Sequence, residues 1–217
     1  MSKIIAIMFL LCCGMMLFGC ADDNGRRKAE QQKTIVVTDS VGRKVELPYP
    51  LERVAVCNVY NAELITAVGA IDKIVGVDNY IFKDQSGFKN RFNETQVFGI
   101  SQNAMNYEKL AELSPQAVII TGEGTWRDAQ EMLDRFGIKV IVINSYYTDQ
   151  FADNCGLIGR IFGREEQAEE LVNYFNDKLA YIQKQLQGVP RRSLYFEYRT
   201  LGKTAVPGDY FYKMVEY

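Results

Sequence analysis

Ala117-Val118-Ile119-Ile120 is apolar at every position. A strand wetted on one face alternates apolar with polar residues, whereas an unbroken apolar run marks a strand covered on both faces, as in a parallel sheet. The flanking sequence agrees. Upstream, Tyr107–Leu113 reads as a helix closed by Ser114-Pro115; downstream, Arg127–Phe136 reads as a helix stopped by Gly137, and Val140–Asn144 as the next strand. Further upstream the alternation repeats: Arg53–Cys57 as a strand, Ala62–Val68 as a helix ended by Gly69, then Lys73–Val77 and Val97–Ile100 as strands. Thr34–Val37 and Lys44–Leu47 form a hairpin pattern around Asp39-Ser40-Val41-Gly42, ended by Pro48 and Pro50. The expected fold class is α/β, a parallel-sheet N-terminal lobe with crossover helices.

Beyond this lobe, Asp149–Phe162 reads as a helix ended by Gly163, and Glu165–Gln187 as a much longer one. Its apolar residues, Ala168, Leu171, Val172, Phe175, Leu179, Ile182 and Leu186, recur three or four apart and make one helical stripe. At 1.5 Å per residue such a helix is about 35 Å long, enough to cross a small domain. Ser193–Arg199 returns to a strand pattern and Tyr210–Tyr217 to the opening of a helix.

Composition narrows the chemistry. The 217 residues are 47% hydrophobic and 24% charged, with a net charge of −2. This is ordinary globular composition, and no cationic excess is available to neutralise a phosphate backbone, so nucleic acid is disfavoured as a partner. There is no His, which excludes His-based triads and His-ligated haem. The turn after the first parallel strand, Asn58-Val59-Tyr60-Asn61, lacks the glycines of a dinucleotide site. Gly202-Lys203-Thr204 ends like a phosphate loop, but the required upstream Gly is Glu197. No nucleophile has a base partner at motif spacing, so enzyme is the weaker class.

The N-terminus reads as an address. Lys3 precedes an apolar run from Ile4 to Phe18, short for a membrane span and suited to a secretory signal. It ends in Leu17-Phe18-Gly19-Cys20, which resembles a bacterial lipobox; Cys20 is then the lipidated first mature residue, and Ala21–Lys33 a polar tether. The expected location is the cell envelope, on a lipid anchor. Cys57 and Cys155 sit in apolar segments and read as separate buried thiols, although a disulfide between them stays open.

Parallel α/β sheets place ligands beyond the carboxyl ends of their strands. Those ends carry Asn58-Val59-Tyr60-Asn61, Asp78-Asn79-Tyr80, Gly122-Glu123-Gly124-Thr125-Trp126 and Ser145-Tyr146-Tyr147. Aromatic rings with polar handles suit a large, partly apolar ligand. The candidate contacts are Asn58, Tyr60, Asn61, Tyr80, Glu123, Trp126, Tyr146 and Tyr147. For any one of them a purely local role, such as a helix cap at Asn58 or Asn61, is the competing reading.

Several segments carry a family resemblance: Arg53-Val54-Ala55-Val56-Cys57, Glu63-Leu64, Val68-Gly69-Ala70, Ile74-Val75-Gly76-Val77-Asp78, Asn106-Tyr107-Glu108-Lys109-Leu110, Leu113-Ser114-Pro115-Gln116-Ala117-Val118-Ile119 and Phe136-Gly137-Ile138-Lys139-Val140. In this order, behind a lipobox and before a long helix, the chain resembles the cobalamin and iron–siderophore (class III) periplasmic binding proteins of bacterial ABC importers. The resemblance implies two lobes joined by one rigid helix, with a siderophore, haem or cobalamin between them and no covalent chemistry. The ligand itself carries iron or cobalt, and no resident cofactor or metal is implied. It also implies an ABC permease and its ATPase as partners, with Glu108 docking onto permease arginines. Tyr80 matches a corrin-contacting position, and Arg199 would lie near the cleft of a complete second lobe, where it could pair with an anionic ligand.

The expected organisation is therefore a signal at 1–19, a tether at 20–33, the ligand-binding lobe at 34–163, the connecting helix at 164–188, and the start of a truncated second lobe at 189–217. A partial sequence, a truncated product and a protein that has lost uptake all remain open. The rival function is an interaction fragment that folds as the first lobe and transports nothing.

Overall fold

The computed structural model describes residues 33–84, 86–190, 192–197, 201–207, 209 and 211–212. The expected signal, Cys20, all of the tether before Lys33, and Arg199 lie outside the described residues.

A hairpin opens the described chain: β1 (Thr34–Thr38) pairs antiparallel with β2 (Lys44–Pro48). Five parallel strands follow, β3 (Val54–Val56), β4 (Ile74–Asp78), β5 (Val97–Gly99), β6 (Ala117–Ile120) and β7 (Lys139–Val142), in the spatial order β5-β4-β3-β6-β7. The chain runs from the centre to one edge, then returns to the centre and proceeds to the other edge. This reversal is where α/β sheets open a crevice. The crossover helices are α1 (Val59–Ala67), α2 (Asn79–Lys83), α3 (Tyr107–Glu112) and α4 (Trp126–Asp134), followed by α5 (Phe151–Phe162) and α6 (Glu165–Gln185).

Strand residues alternate between two cores. Val54, Val56, Ala117, Ile119 and Ile141 pack with Ala62 and Ile65 of α1, Ile158 and Ile161 of α5, and Leu47 of the hairpin. Ala55, Val118, Ile120, Val140 and Val142 face the other way, onto Leu110 of α3 and Ala129 and Leu133 of α4. Both faces of the sheet are covered, which is why β6 carries no polar residue. Each of the buried valine, leucine and isoleucine side chains contributes about 1.5–3 kcal/mol.

Three sequence expectations are revised. Helix α2 occupies Asn79–Lys83, where no element is expected. The long helix ends at Gln185, two residues before the expected Gln187. The strand expected over Ser193–Arg199 is reduced, among the described residues, to one isolated bridge between Glu197 and Thr204. The N-terminal half of the α6 stripe is covered, with Ala168 buried and the Phe175 ring 4.3 Å from Phe151, whereas Ile182 and Leu186 are about half exposed.

Candidate functional site: the rim at the carboxyl ends of the strands

All five strands are parallel, so the loops leaving them share one edge of the sheet. Helix α1 leaves β3 through Asn58, whose side chain accepts from the Tyr60 N–H at 2.9 Å. Helix α2 leaves β4 through Asp78, whose carboxylate caps Ile81 at 3.0 Å. Each cap presents a tyrosine two residues on, and both rings are exposed, Tyr60 by 48% and Tyr80 by 63%. Ile100, just past β5, is 63% exposed and extends this apolar edge. Sequence reasoning missed it, because one isoleucine after a three-residue strand carries no motif. An open recess of about 630 Å³ adjoins it, with Asn79, Lys83, Ile100, Asn106 and Lys109 in its wall.

On the other side of the centre, the Tyr146 hydroxyl donates to Glu123 Oε1 at 3.1 Å, and the rings of Tyr146 and Tyr147 lie 4.5 Å apart. Burial, and then the negative charge of Glu123, push the Tyr146 phenol well above its usual pKa. It is therefore a hydrogen-bond donor at neutral pH and not a phenolate.

Asn61 and Trp126, also expected on the rim, lie buried beneath the exposed edge that these residues form. Asn61 is fully buried; its amide donates to the Cys57 carbonyl at 3.2 Å and accepts from Ser145 Oγ at 2.6 Å, so it ties two rim loops from beneath. Trp126 is 8% exposed and stacks between two guanidinium groups, Arg43 at 4.3 Å and Arg127 at 4.2 Å from the ring centroid. Its ring packs in the core above α4.

Other hydrogen bonds make the rim stiff. Gly122 N donates to Asn144 Oδ1 at 2.7 Å, and Thr121 donates through both N and Oγ1 to Gln102 Oε1 at 2.9 and 2.8 Å. The hairpin turn joins from the side. Ser40 N donates to the Val142 carbonyl at 2.9 Å, and Asn144 N to Ser40 Oγ at 3.2 Å. The buried Asp39 carboxylate pairs with Arg43 at 2.6 Å. The Asp39–Arg43 pair is charge-assisted and local to the hairpin turn, whereas the other bonds join loops far apart in sequence. They were not legible as site residues, because turn residues such as Asp39 and Ser40 read first as turn formers.

The chemistry of the rim is that of grip. It offers aromatic faces, phenol donors and amides. Among the described residues, no group of three or more Cys, Asp or Glu is placed to hold a metal ion. The thiols of Cys57 and Cys155 are both free and buried.

Comparison with known proteins decides the family. The family described as periplasmic binding protein matches residues 54–213. The chain belongs to the periplasmic binding proteins. A substrate-binding lipoprotein of an ABC transporter in Bacillus subtilis, YvrC, is 23% identical over 190 residues, covering 84% of this chain and 58% of that protein. The iron(3+)-hydroxamate-binding protein YxeB of the same organism is 26% identical over 189 residues, covering 86% of this chain and 53% of that protein. A solved periplasmic solute-binding protein of Veillonella parvula superposes with a TM-score of 0.60 at 27% identity, covering 74% of this chain and 50% of that one. The chain thus spans between half and three fifths of the curated relatives it matches. The family is one of solute-binding proteins, not enzymes. Glu108 is exposed in the first turn of α3, which Asn106 caps by accepting from Lys109 N at 2.9 Å.

Proposed function

We propose that this chain is the ligand-receiving lobe of a lipid-anchored solute-binding protein that captures an iron chelate, a siderophore or haem, or a cobalamin, and delivers it to an ABC permease and its ATPase. The observation that carries this reading is the pair of exposed tyrosines, Tyr60 and Tyr80, at the carboxyl ends of the adjacent strands β3 and β4, on a hydrogen-bonded rim beside the topological switch between β3 and β6. Large exposed aromatics on a stiff base are placed for a bulky apolar ligand face. Tyr146 adds a donor, and Lys83 and Lys109 in the recess suit acidic groups on the chelate. A ferric trihydroxamate is the first ligand to try, because YxeB is an iron(3+)-hydroxamate-binding protein.

The test is equilibrium dialysis of the chain from Cys20 onward against an iron-loaded trihydroxamate, haemin and cyanocobalamin. At least one binds, and Tyr80→Ala weakens that binding about tenfold, a loss of about 1.4 kcal/mol. Binding of none, or unchanged affinity in the variant, would reject the rim as the site.

A further inference from the structure

One backbone conformation at the rim is out of place. Asn58 has φ 76° and ψ 127°, a region that residues with a Cβ avoid and that persists only where the surroundings over-determine it. Three contacts hold it. Cys57 N, just before it, donates to the Ile119 carbonyl at 2.9 Å. The Asn58 side chain accepts from Tyr60 N. The Asn58 N–H itself donates to Asp78 Oδ2 at 3.0 Å. The other oxygen of the same carboxylate, Oδ1, accepts from Ile81 N at 3.0 Å. Asp78 is 2% exposed, so its charge has little water to fall back on and is held by these backbone donors.

The two oxygens of one buried carboxylate thus grip the starts of two different helices. Each helix start carries an exposed tyrosine two residues further on. Neither tyrosine is fixed by a side-chain hydrogen bond among those described, so their mutual placement is set at Asp78 and Asn58. Strain and a desolvated carboxylate are both costs, and both are concentrated where the rings must be presented.

We propose that Asp78 is the positioning residue of the rim: by holding the strained Asn58 backbone and the α2 N-terminus together, it presets Tyr60 and Tyr80 as a pair to receive the apolar face of a ligand. This rests on the solute-binding reading above and deepens it. The device is preorganisation, in which ordering is completed during folding and not at the moment of binding.

Two variants test it. In Asp78→Asn the amide oxygen can serve only one of the two N–H donors. With 3-fluorotyrosine incorporated, and resonances assigned by Tyr60→Phe and Tyr80→Phe, the fluorine signals of both Tyr60 and Tyr80 shift or broaden together in this variant. Movement of the Tyr80 signal alone would overturn the clamp, because Asp78 would then be only the cap of its own helix. In Asn58→Gly the strain is relieved, because glycine adopts a positive φ freely, and the side-chain cap is lost. The midpoint of urea unfolding therefore stays level or rises, while affinity for whichever of an iron-loaded trihydroxamate, haemin or cyanocobalamin the wild type binds falls about fivefold. A merely structural role would move stability and affinity in the same direction, and that result would also overturn the proposal. If the wild type binds none of the three, the solute-binding reading fails, and the paired fluorine shifts still decide whether the clamp exists.

Discussion

Burial lifts the Asp78 carboxyl above the ordinary aspartate value, while the N–H groups of Ile81, Asn58 and Tyr80 pull it back. The titratable group facing it is the Cys57 thiol, which burial first and Asp78 second push up, so that Cys57 stays protonated across the neutral range. The sign of the pH effect follows from linkage. A folded-state pKa above the unfolded one means that the folded chain binds the proton more tightly. The stability this gives is full below the ordinary value of 3.8 and is lost as pH rises through the raised value. Asp78→Asn removes the titration. The difference in unfolding free energy, wild type minus variant, therefore falls as pH climbs from about 4 towards neutrality, read from urea titrations at several pH values. A difference that grows with pH would mean that the backbone donors outweigh desolvation.

At the scale of elements, α5 and α6 approach each other closely at their joint. Gly163 ends α5 in the left-handed conformation at φ 64° and turns the chain back. A Cβ on Gly159 would stand 2.6 Å from Ala168 Cβ and 3.0 Å from the Arg164 carbonyl oxygen, whereas one on Gly156 would meet nothing within 4 Å. The two glycines lie in the same helix, so they form a matched pair. Gly159→Ala pushes α6 off α5 and costs about 1–3 kcal/mol. Gly156→Ala gains about 0.5–1 kcal/mol from helix propensity. Urea unfolding of the two variants checks the opposite signs. The same scale shows what the sequence discloses. The parallel sheet is legible in Ala117–Ile120, because burial on both faces writes itself as an unbroken apolar run. Helix α2 is not, because five residues are too few to show a helical period. The loops of the rim are legible from strand ends, but not which residues surface. Trp126 sinks between Arg43 and Arg127, and Arg43 reaches it from a hairpin more than eighty positions away in the chain. Contacts of that span leave no local pattern in the residues that make them.

For the whole molecule, capture and delivery need separate surfaces, and the proposed docking residue allows them to be separated. Glu108 is exposed and forms no ion pair among the described residues. It lies in the first turn of α3, where a carboxylate is favoured by the helix dipole and an arginine is disfavoured by about 0.3–1 kcal/mol. That penalty is small beside the stability of a domain with both sheet faces packed. Glu108→Arg should therefore leave the fold and the rim as they are. If Glu108 meets cationic groups on the permease, the reversed charge places like charges face to face at the interface, which costs several kcal/mol and redirects encounter. The expected outcome is ligand affinity within twofold of wild type by dialysis, with uptake of the radiolabelled chelate abolished in cells carrying the permease, the ATPase and the variant receptor. Unimpaired uptake would remove Glu108 from the interface. A parallel loss of affinity would instead show that α3 props the recess lined by Asn106 and Lys109, and that delivery and capture share one surface.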